Sequence, residues 1–176
     1  KKLLGYGYSP DFNVWVKFTL KNNTNYVIEK ILEYDHALTT NIRFFNSDIS
    51  SKYIQDGLLN VNPKRKTLNP MFKIKLAPGE TKTYYMRSSS DITTLIIKLN
   101  LWNNDSFYTK DTKHQFILAL FFGAMVILGI YNIFIYFFTK DISYLFYVLY
   151  IFGVVAHHLT YVGISNIYIL DQTWMT

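Results

Sequence analysis

The alternation of hydrophobic and polar positions changes character partway along this chain and divides it into two blocks. In the first block the period is two. Residues 14–20 set Val14, Val16, Phe18 and Leu20 on one face and Trp15, Lys17 and Thr19 on the other, the signature of a half-buried strand. Asn22-Asn23-Thr24-Asn25 ends that run as a turn cluster. Residues 26–34 and 40–45 read as further strands, and Gly57, Pro63 and Pro70 punctuate a long loop region. Residues 71–76 alternate again, with Phe72, Ile74 and Leu76 against Lys73 and Lys75. Ala77-Pro78-Gly79-Glu80 predicts a tight turn, because proline presets φ at the second position and glycine accepts positive φ at the third. Residues 81–87 form the returning strand. Residues 94–102 form the last one, with Leu95, Ile97, Leu99 and Leu101 inward and Lys98, Asn100 and Trp102 outward. About six strands with no amphipathic helix between them predict an antiparallel sandwich.

The second block has no such alternation. Between Lys113 and Lys140 there is no Asp, Glu, Lys or Arg, and residues 116–138 contain one strongly polar side chain, Asn132. A bilayer core of about 30 Å takes roughly 20 residues at a helical rise of about 1.5 Å each, so this segment is long enough to span. Thr139-Lys140-Asp141 interrupts it, and residues 142–164 form a second, more polar run. A soluble core helix rarely stays apolar all round for so long. Two transmembrane helices joined by a three-residue turn therefore make an antiparallel hairpin, preceded by a polar linker over residues 105–115. The segment is internal and too long for a signal peptide.

Composition narrows the chemistry. With 17% charged residues against a typical 25% or so, and 18% aromatics, a disordered chain is excluded. The absence of cysteine excludes a disulfide framework, a Cys-ligated metal site and a thiol nucleophile. The net charge of +6 is carried by the first block, where residues 1–115 hold 17 Lys and Arg against 10 Asp and Glu. These charges are spread singly. The one tight cluster, Lys64-Arg65-Lys66, lies in a loop and reads as solvated surface rather than a nucleic-acid site. No phosphate-binding glycine loop, nucleophile elbow or H-E-x-x-H motif is present, so this segment is read as no enzyme and as needing no cofactor.

The remaining polar candidates are few. His36 and His114 stand alone and read as surface residues, since a metal site needs three or four converging groups. His157 and His158 fall inside an apolar run, where ionisable groups are costly and point to function by default. Adjacent helical positions diverge by about 100°, so the pair cannot chelate one ion from one face. Helix–helix hydrogen bonding, or proximity to the far interface, is the preferred reading. Asn132 likewise reads as an interhelical hydrogen-bonding residue rather than a transport site. Asn22 and Asn104 sit in N-x-S/T sequons. A ligand face is suggested by Trp15 and Lys17 on one strand and by Tyr85 and Arg87 on another, with Trp102 on the last. If these strands are neighbours, aromatic rings and cationic donors line one surface, the combination that sugars need.

The order of motifs is more specific than any one of them. Trp15-Val16-Lys17-Phe18-Thr19-Leu20, Pro70-Met71-Phe72, Leu76 to Thr81, Tyr84-Tyr85-Met86-Arg87 and Leu101-Trp102 precede the first apolar segment. Gly129-Ile130-Tyr131-Asn132-Ile133-Phe134, Lys140-Asp141 and Tyr144 to Tyr150 follow. The chain resembles the bacterial seven-transmembrane receptors with diverse intracellular signalling modules. That resemblance implies an extracytoplasmic jelly-roll domain similar to carbohydrate-binding modules, here residues 1–104, ahead of seven helices and a cytoplasmic output such as a diguanylate cyclase or histidine kinase. It places residues 1–115 outside the inner membrane of a bacterium, the 139–141 turn inside, and residues 165–176 at the start of the next outer loop. The positive-inside rule does not decide the orientation, with Lys110 and Lys113 on one side and Lys140 on the other. Lys1 is no initiator, the family's sandwich would have a strand or two before Gly5, and two of seven helices are present, so a receptor fragment is expected.

Three function classes follow. The first is a sensory receptor whose ligand, a small molecule or glycan, shifts the helices below it, with the bilayer and a second copy of the receptor as further partners. The second is a membrane-anchored binding or adhesion protein without signalling. The third is a transporter fragment, supported by His157 and His158 alone.

Overall fold

The computed structural model describes residues 3–46 and 52–165 of the chain. Strands β1 (Leu4–Tyr8), β2 (Val14–Lys21), β3 (Ile28–Tyr34), β4 (Asn41–Asn46), β5 (Tyr53–Asp56), β6 (Met71–Leu76), β7 (Thr81–Ser89), β8 (Thr94–Ile97) and β9 (Leu99–Asn103) come first. Helices α1 (Asn104–Thr139) and α2 (Ser143–Tyr161) follow. The strands form a four-stranded sheet in the order β2-β7-β4-β5, a three-stranded sheet β6-β3-β9 and a pair β1-β8, all antiparallel. The protein is an antiparallel β-sandwich followed by a helical hairpin.

The alternating positions build the core. Ile42, Phe44, Tyr84 and Met86 from the four-stranded sheet meet Leu32, Tyr34, Phe72, Ile74 and Leu76 from the three-stranded one. Phe44 stacks on Phe72 across the two layers with ring centroids 4.8 Å apart, and on Tyr84 within its own sheet at 5.6 Å. Val14, Val16, Phe18 and Leu20 cover the open end of this core from β2, as their spacing predicts. Each such side chain removed from water contributes about 1.5–3 kcal/mol, which is why a period of two specifies the register.

The 77–80 turn forms as its residues dictate. Gly79 has φ +70° and the Glu80 N–H donates to the Ala77 carbonyl at 3.1 Å. It joins β6 to β7, which belong to different sheets, so it carries the chain across the sandwich instead of closing a hairpin. Asn22 fastens the opposite corner to it. Its side-chain amide donates to the carbonyls of Tyr26, Leu76 and Ala77, and its Oδ1 accepts from Thr24. A side chain fully buried and bonded in this way is no glycan acceptor, which removes one of the two sequons.

Three features differ from the period-two reading. Strand β1 carries glycines at alternate positions and gives no apolar pattern, and β5 is only four residues long. The run 94–102 is two strands, because β8 pairs with β1 whereas β9 pairs with β3, and the chain changes partner at Lys98. Leu95 and Ile97 are core residues, but Leu101 is 47% exposed and Asn100 is buried. Asn100 is buried from outside the sandwich, by a helix that covers the outer face of β9. Residues 105–115 are helical and continuous with the apolar segment.

At 36 residues, α1 is about 54 Å long at the helical rise, well beyond a bilayer core of about 30 Å, so its first turns stand clear of the apolar segment. Lys140, with φ +56°, caps it by donating its N–H to the Tyr136 carbonyl at 2.8 Å. Asp141 Oδ1 then accepts the Ser143 N–H at 2.9 Å to start α2. His158 packs on Phe121 of α1 with centroids 5.2 Å apart, while His157 stacks on Tyr161 of its own helix at 6.3 Å. Asn132 is buried between the helices, but its amide donates to Leu128 on α1 itself at 2.7 Å, not across to α2. The carbonyl one turn back is the nearest acceptor in apolar surroundings. Residues 166–176, assigned to the next outer loop, lie outside the described residues.

Candidate ligand face and membrane junction

The outer face of the four-stranded sheet gathers side chains from every one of its strands. In the β2–β7 register Trp15 lies opposite Arg87 and Lys17 opposite Tyr85. Four of the five residues singled out from the sequence therefore share one surface. The register continues into β4 and β5, where Arg87 faces Arg43, Arg43 faces Gln55, Tyr85 faces Phe45 and Phe45 faces Tyr53. Two rows result, Trp15-Arg87-Arg43-Gln55 and Lys17-Tyr85-Phe45-Tyr53. Each crosses three strand spacings of about 4.8 Å, or roughly 14 Å.

The rings on this face are packed into a floor. Trp15 reaches diagonally across β7 to stack on Phe45, with centroids 5.6 Å and planes 29° apart. Phe45 is 6% exposed beneath it, whereas Trp15 keeps 48% of its surface open. Tyr53 extends the floor, its centroid 5.5 Å from that of Phe45. The cations lie among the rings: Lys17 Nζ is 5.7 Å from the Tyr85 centroid, and the Arg43 guanidinium 5.1 Å from that of Tyr53. Arg43, Phe45, Tyr53 and Gln55 were not among the candidates. The alternation of Arg43 and Phe45 with Ile42 and Phe44 was visible in the sequence, but not the pairing of β4 with β7.

Trp102 lies elsewhere. It belongs to β9 in the other sheet, and its Nε1 donates to Glu33 Oε2 at 2.7 Å. Glu33 points away from the core, from a strand whose inward residues are Leu32 and Tyr34, yet it is only 1% exposed. The first turns of α1 account for this. Lys110 donates to Glu33 Oε1 and lies over the Trp102 ring at 5.6 Å, and Phe107 of the same helix is fully buried. Asn69 donates to Glu33 Oε1 at 2.8 Å and Asn100 to Oε2 at 3.3 Å. Both amides also reach Asp35, which is paired with Lys98 at 2.5 Å. Burial alone would raise the Asp35 carboxyl. The Lys98 hydrogen bond, the Lys110 and Lys98 charges and the Asn100 bond outweigh it and hold the group below the usual carboxylate range. His36 beside it is half-buried, and burial lowers its imidazole despite the opposing charge of Asp35.

The same junction takes in the long loop. Asp111 accepts the Leu68 N–H at 3.4 Å and the Gln115 amide at 2.8 Å, and Gln115 in turn reaches the Lys66 carbonyl at 3.4 Å. Arg65, from the cluster read as solvated surface, is buried against Asp56 at 2.7 Å. A Cβ on Gly163, just past the end of α2, would stand 3.3 Å from that of Ala37. Both ends of the hairpin therefore abut the sandwich. Neither Glu33 nor Lys110 stood out in the sequence; a Glu set between Leu32 and Tyr34 was the available signal.

Among the described residues no group of three or more His, Asp or Glu could hold a metal ion. No curated protein and no solved structure matches the chain. Two family models do. That for "7TMR-DISM extracellular 2" matches residues 1–103, ending where β9 ends, and that for "7TM diverse intracellular signalling" matches residues 114–176. A β-sandwich matched over its whole length by an extracellular-domain model, running without a break into two apolar helices, identifies a membrane protein. The chain belongs to the seven-transmembrane receptors with diverse intracellular signalling, and carries that family's extracellular domain together with two helices of its membrane region.

Proposed function

We propose that this chain is the input part of a sensory receptor of the bacterial inner membrane. Its jelly-roll-like sandwich takes a carbohydrate-class ligand on the outer face of β2-β7-β4-β5, and the helices relay occupancy to a cytoplasmic output domain. The segment itself does no catalysis. The observation that carries the reading is the continuity of packing from the face to the helix. Arg43 and Phe45 flank Phe44, Phe44 stacks on Phe72, and Phe72 pairs in register with Leu32, the neighbour of Glu33. Glu33 holds Lys110 of α1. A signal requires a ligand that binds two arrangements of this chain with different affinity, and a well-packed core passes small shifts between discrete arrangements rather than absorbing them.

The test is a glycan array probed with the chain in lipid nanodiscs, followed by amide exchange on any hit. Binding lost in Trp15→Ala, with altered exchange over residues 104–115, supports the reading. Binding with unchanged exchange there would favour a membrane-anchored binding or adhesion protein, and an array without hits would remove the carbohydrate assignment.

A further inference from the structure

The charges on the proposed ligand face are all of one sign. Among the described residues, the outward positions of β2, β7, β4 and β5 include Lys17, Lys21, Arg43 and Arg87 and no Asp or Glu. The ion pairs of the described chain lie elsewhere: Arg65 with Asp56, Lys75 with Glu29, Lys98 with Asp35 and Lys110 with Glu33. Four acidic side chains of the described sandwich are thus matched to cations off this face, and no described ion pair compensates the cations on it.

Arg43 and Arg87 make the imbalance local. They are direct cross-strand neighbours in the β4–β7 ladder, an arrangement that is unfavourable for like charges. Among the described residues neither guanidinium forms an ion pair, and the Nε of Arg43 is buried with no acceptor. Two planar forks side by side suit an oxyanion, because each can give two parallel hydrogen bonds to a carboxylate or sulfate. Trp15 lies on the same row as the two arginines, its ring supported from below by Phe45.

From this juxtaposition we infer that the face recognises an acidic saccharide, with a carboxylate or sulfate between Arg43 and Arg87 and the adjoining sugar ring on Trp15. The inference rests on the carbohydrate reading above and adds the charge class of the ligand. The roughly 14 Å row suits an extended chain of rings lying in the plane of the sheet. An anionic lipid headgroup fits less well. Helix α1 is anchored on the outer face of the other sheet, through Lys110 and Glu33, so the sandwich stands between this face and the helix that enters the bilayer.

The experiment uses the whole chain in phosphatidylcholine nanodiscs. Oligogalacturonate, alginate oligomers and heparin fragments are titrated calorimetrically, each beside its methyl-esterified or desulfated counterpart. At least one acidic member is expected to bind about 10- to 100-fold more tightly than its neutral counterpart, a difference that rising salt reduces. Arg43→Gln with Arg87→Gln should erase that difference, and Arg87→Lys should restore part of it. Thermal melts show whether the variants fold; if the double variant does not, Arg87→Gln alone must still narrow the difference. Equal binding of neutral and acidic members, lost in Trp15→Ala, would overturn the charge assignment and leave the carbohydrate reading standing. Binding of neutral glycans alone would do the same. Binding of phosphatidylglycerol vesicles or acidic peptides through the two arginines, with no oligosaccharide bound, would overturn both.

Discussion

The indole Nε1 of Trp102 donates a 2.7 Å hydrogen bond to Glu33 Oε2, tying the last strand of the sandwich to a carboxylate that also holds the first turns of the membrane helix. The tryptophan was a ligand candidate by its alternation. Its position makes it part of the joint instead. Replacing Trp102 by Phe keeps an aromatic ring, though a smaller one, and removes one donor from a buried carboxylate. The expected loss is about 1–3 kcal/mol of sandwich stability, read as a lowered midpoint in chemical unfolding of the chain in detergent.

Lys110→Met should loosen the same joint from the helix side. A fully buried pair broken at one end costs about 3–5 kcal/mol, but Lys110 keeps 36% of its side chain exposed, so about 1–3 kcal/mol is expected. Glu33→Gln with Lys110→Met should cost less than the two singles added together, because each single change strands a partner. Additive losses would show that the pair does not couple.

Acid should weaken the junction in two stages. The His36 imidazole is lowered by burial, so the unfolded chain binds its proton first and stability falls as pH drops through the ordinary imidazole range. The Asp35 carboxyl is lowered as well, so its contribution is complete above the ordinary carboxylate value and is lost as pH falls through the lower folded one. Burial raises Asp56 despite the Arg65 charge, and it acts in the opposite sense: its protonation favours the fold as pH falls through its raised value. Stability measured against pH should keep its lower limb and lose its upper one in His36→Gln, and the reverse in Asp35→Asn.

Gly57 is the backbone position least able to accept a side chain. Its φ is +142°, and a Cβ there would stand 2.5 Å from the Thr40 carbonyl oxygen. Gly57→Ala should destabilise the sandwich by more than about 1 kcal/mol, whereas Gly5→Ala, with open space around it, should be nearly neutral. Thermal melts of the two variants side by side are the check.

Much of the sandwich was legible because half-buried strands alternate. The inward residues of β2 and β6 were readable that way, and the two spanning segments by their unbroken apolar runs. What escaped was pairing. Alternation sorts a strand's two faces but does not name its neighbour, so the place of Arg43 and Tyr53 on the candidate face was hidden and Trp102 was grouped with strands of the wrong sheet. Strand β3 was harder still, because α1 buries its outer face. Glu33 therefore sits among apolar neighbours as though exposed, while being as enclosed as the core. The polar stretch before the apolar segment read as a linker because its charged residues are solvated or paired, yet nothing in it breaks a helix. Asn132 was read as a bond between helices, whereas an acceptor one turn back on its own helix is always within reach.

In the proposed relay, occupancy of the β2-β7-β4-β5 face reaches α1 through Glu33 and Lys110. The most direct measurement is amide hydrogen exchange over residues 104–115 in nanodiscs, with and without the tightest-binding oligosaccharide. In the native chain exchange over that segment should change several-fold on binding. In Glu33→Gln with Lys110→Met the oligosaccharide should bind with unchanged affinity and the change over 104–115 should vanish. Binding that leaves 104–115 unaltered in the native chain, or an equal change in the double variant, would contradict the account.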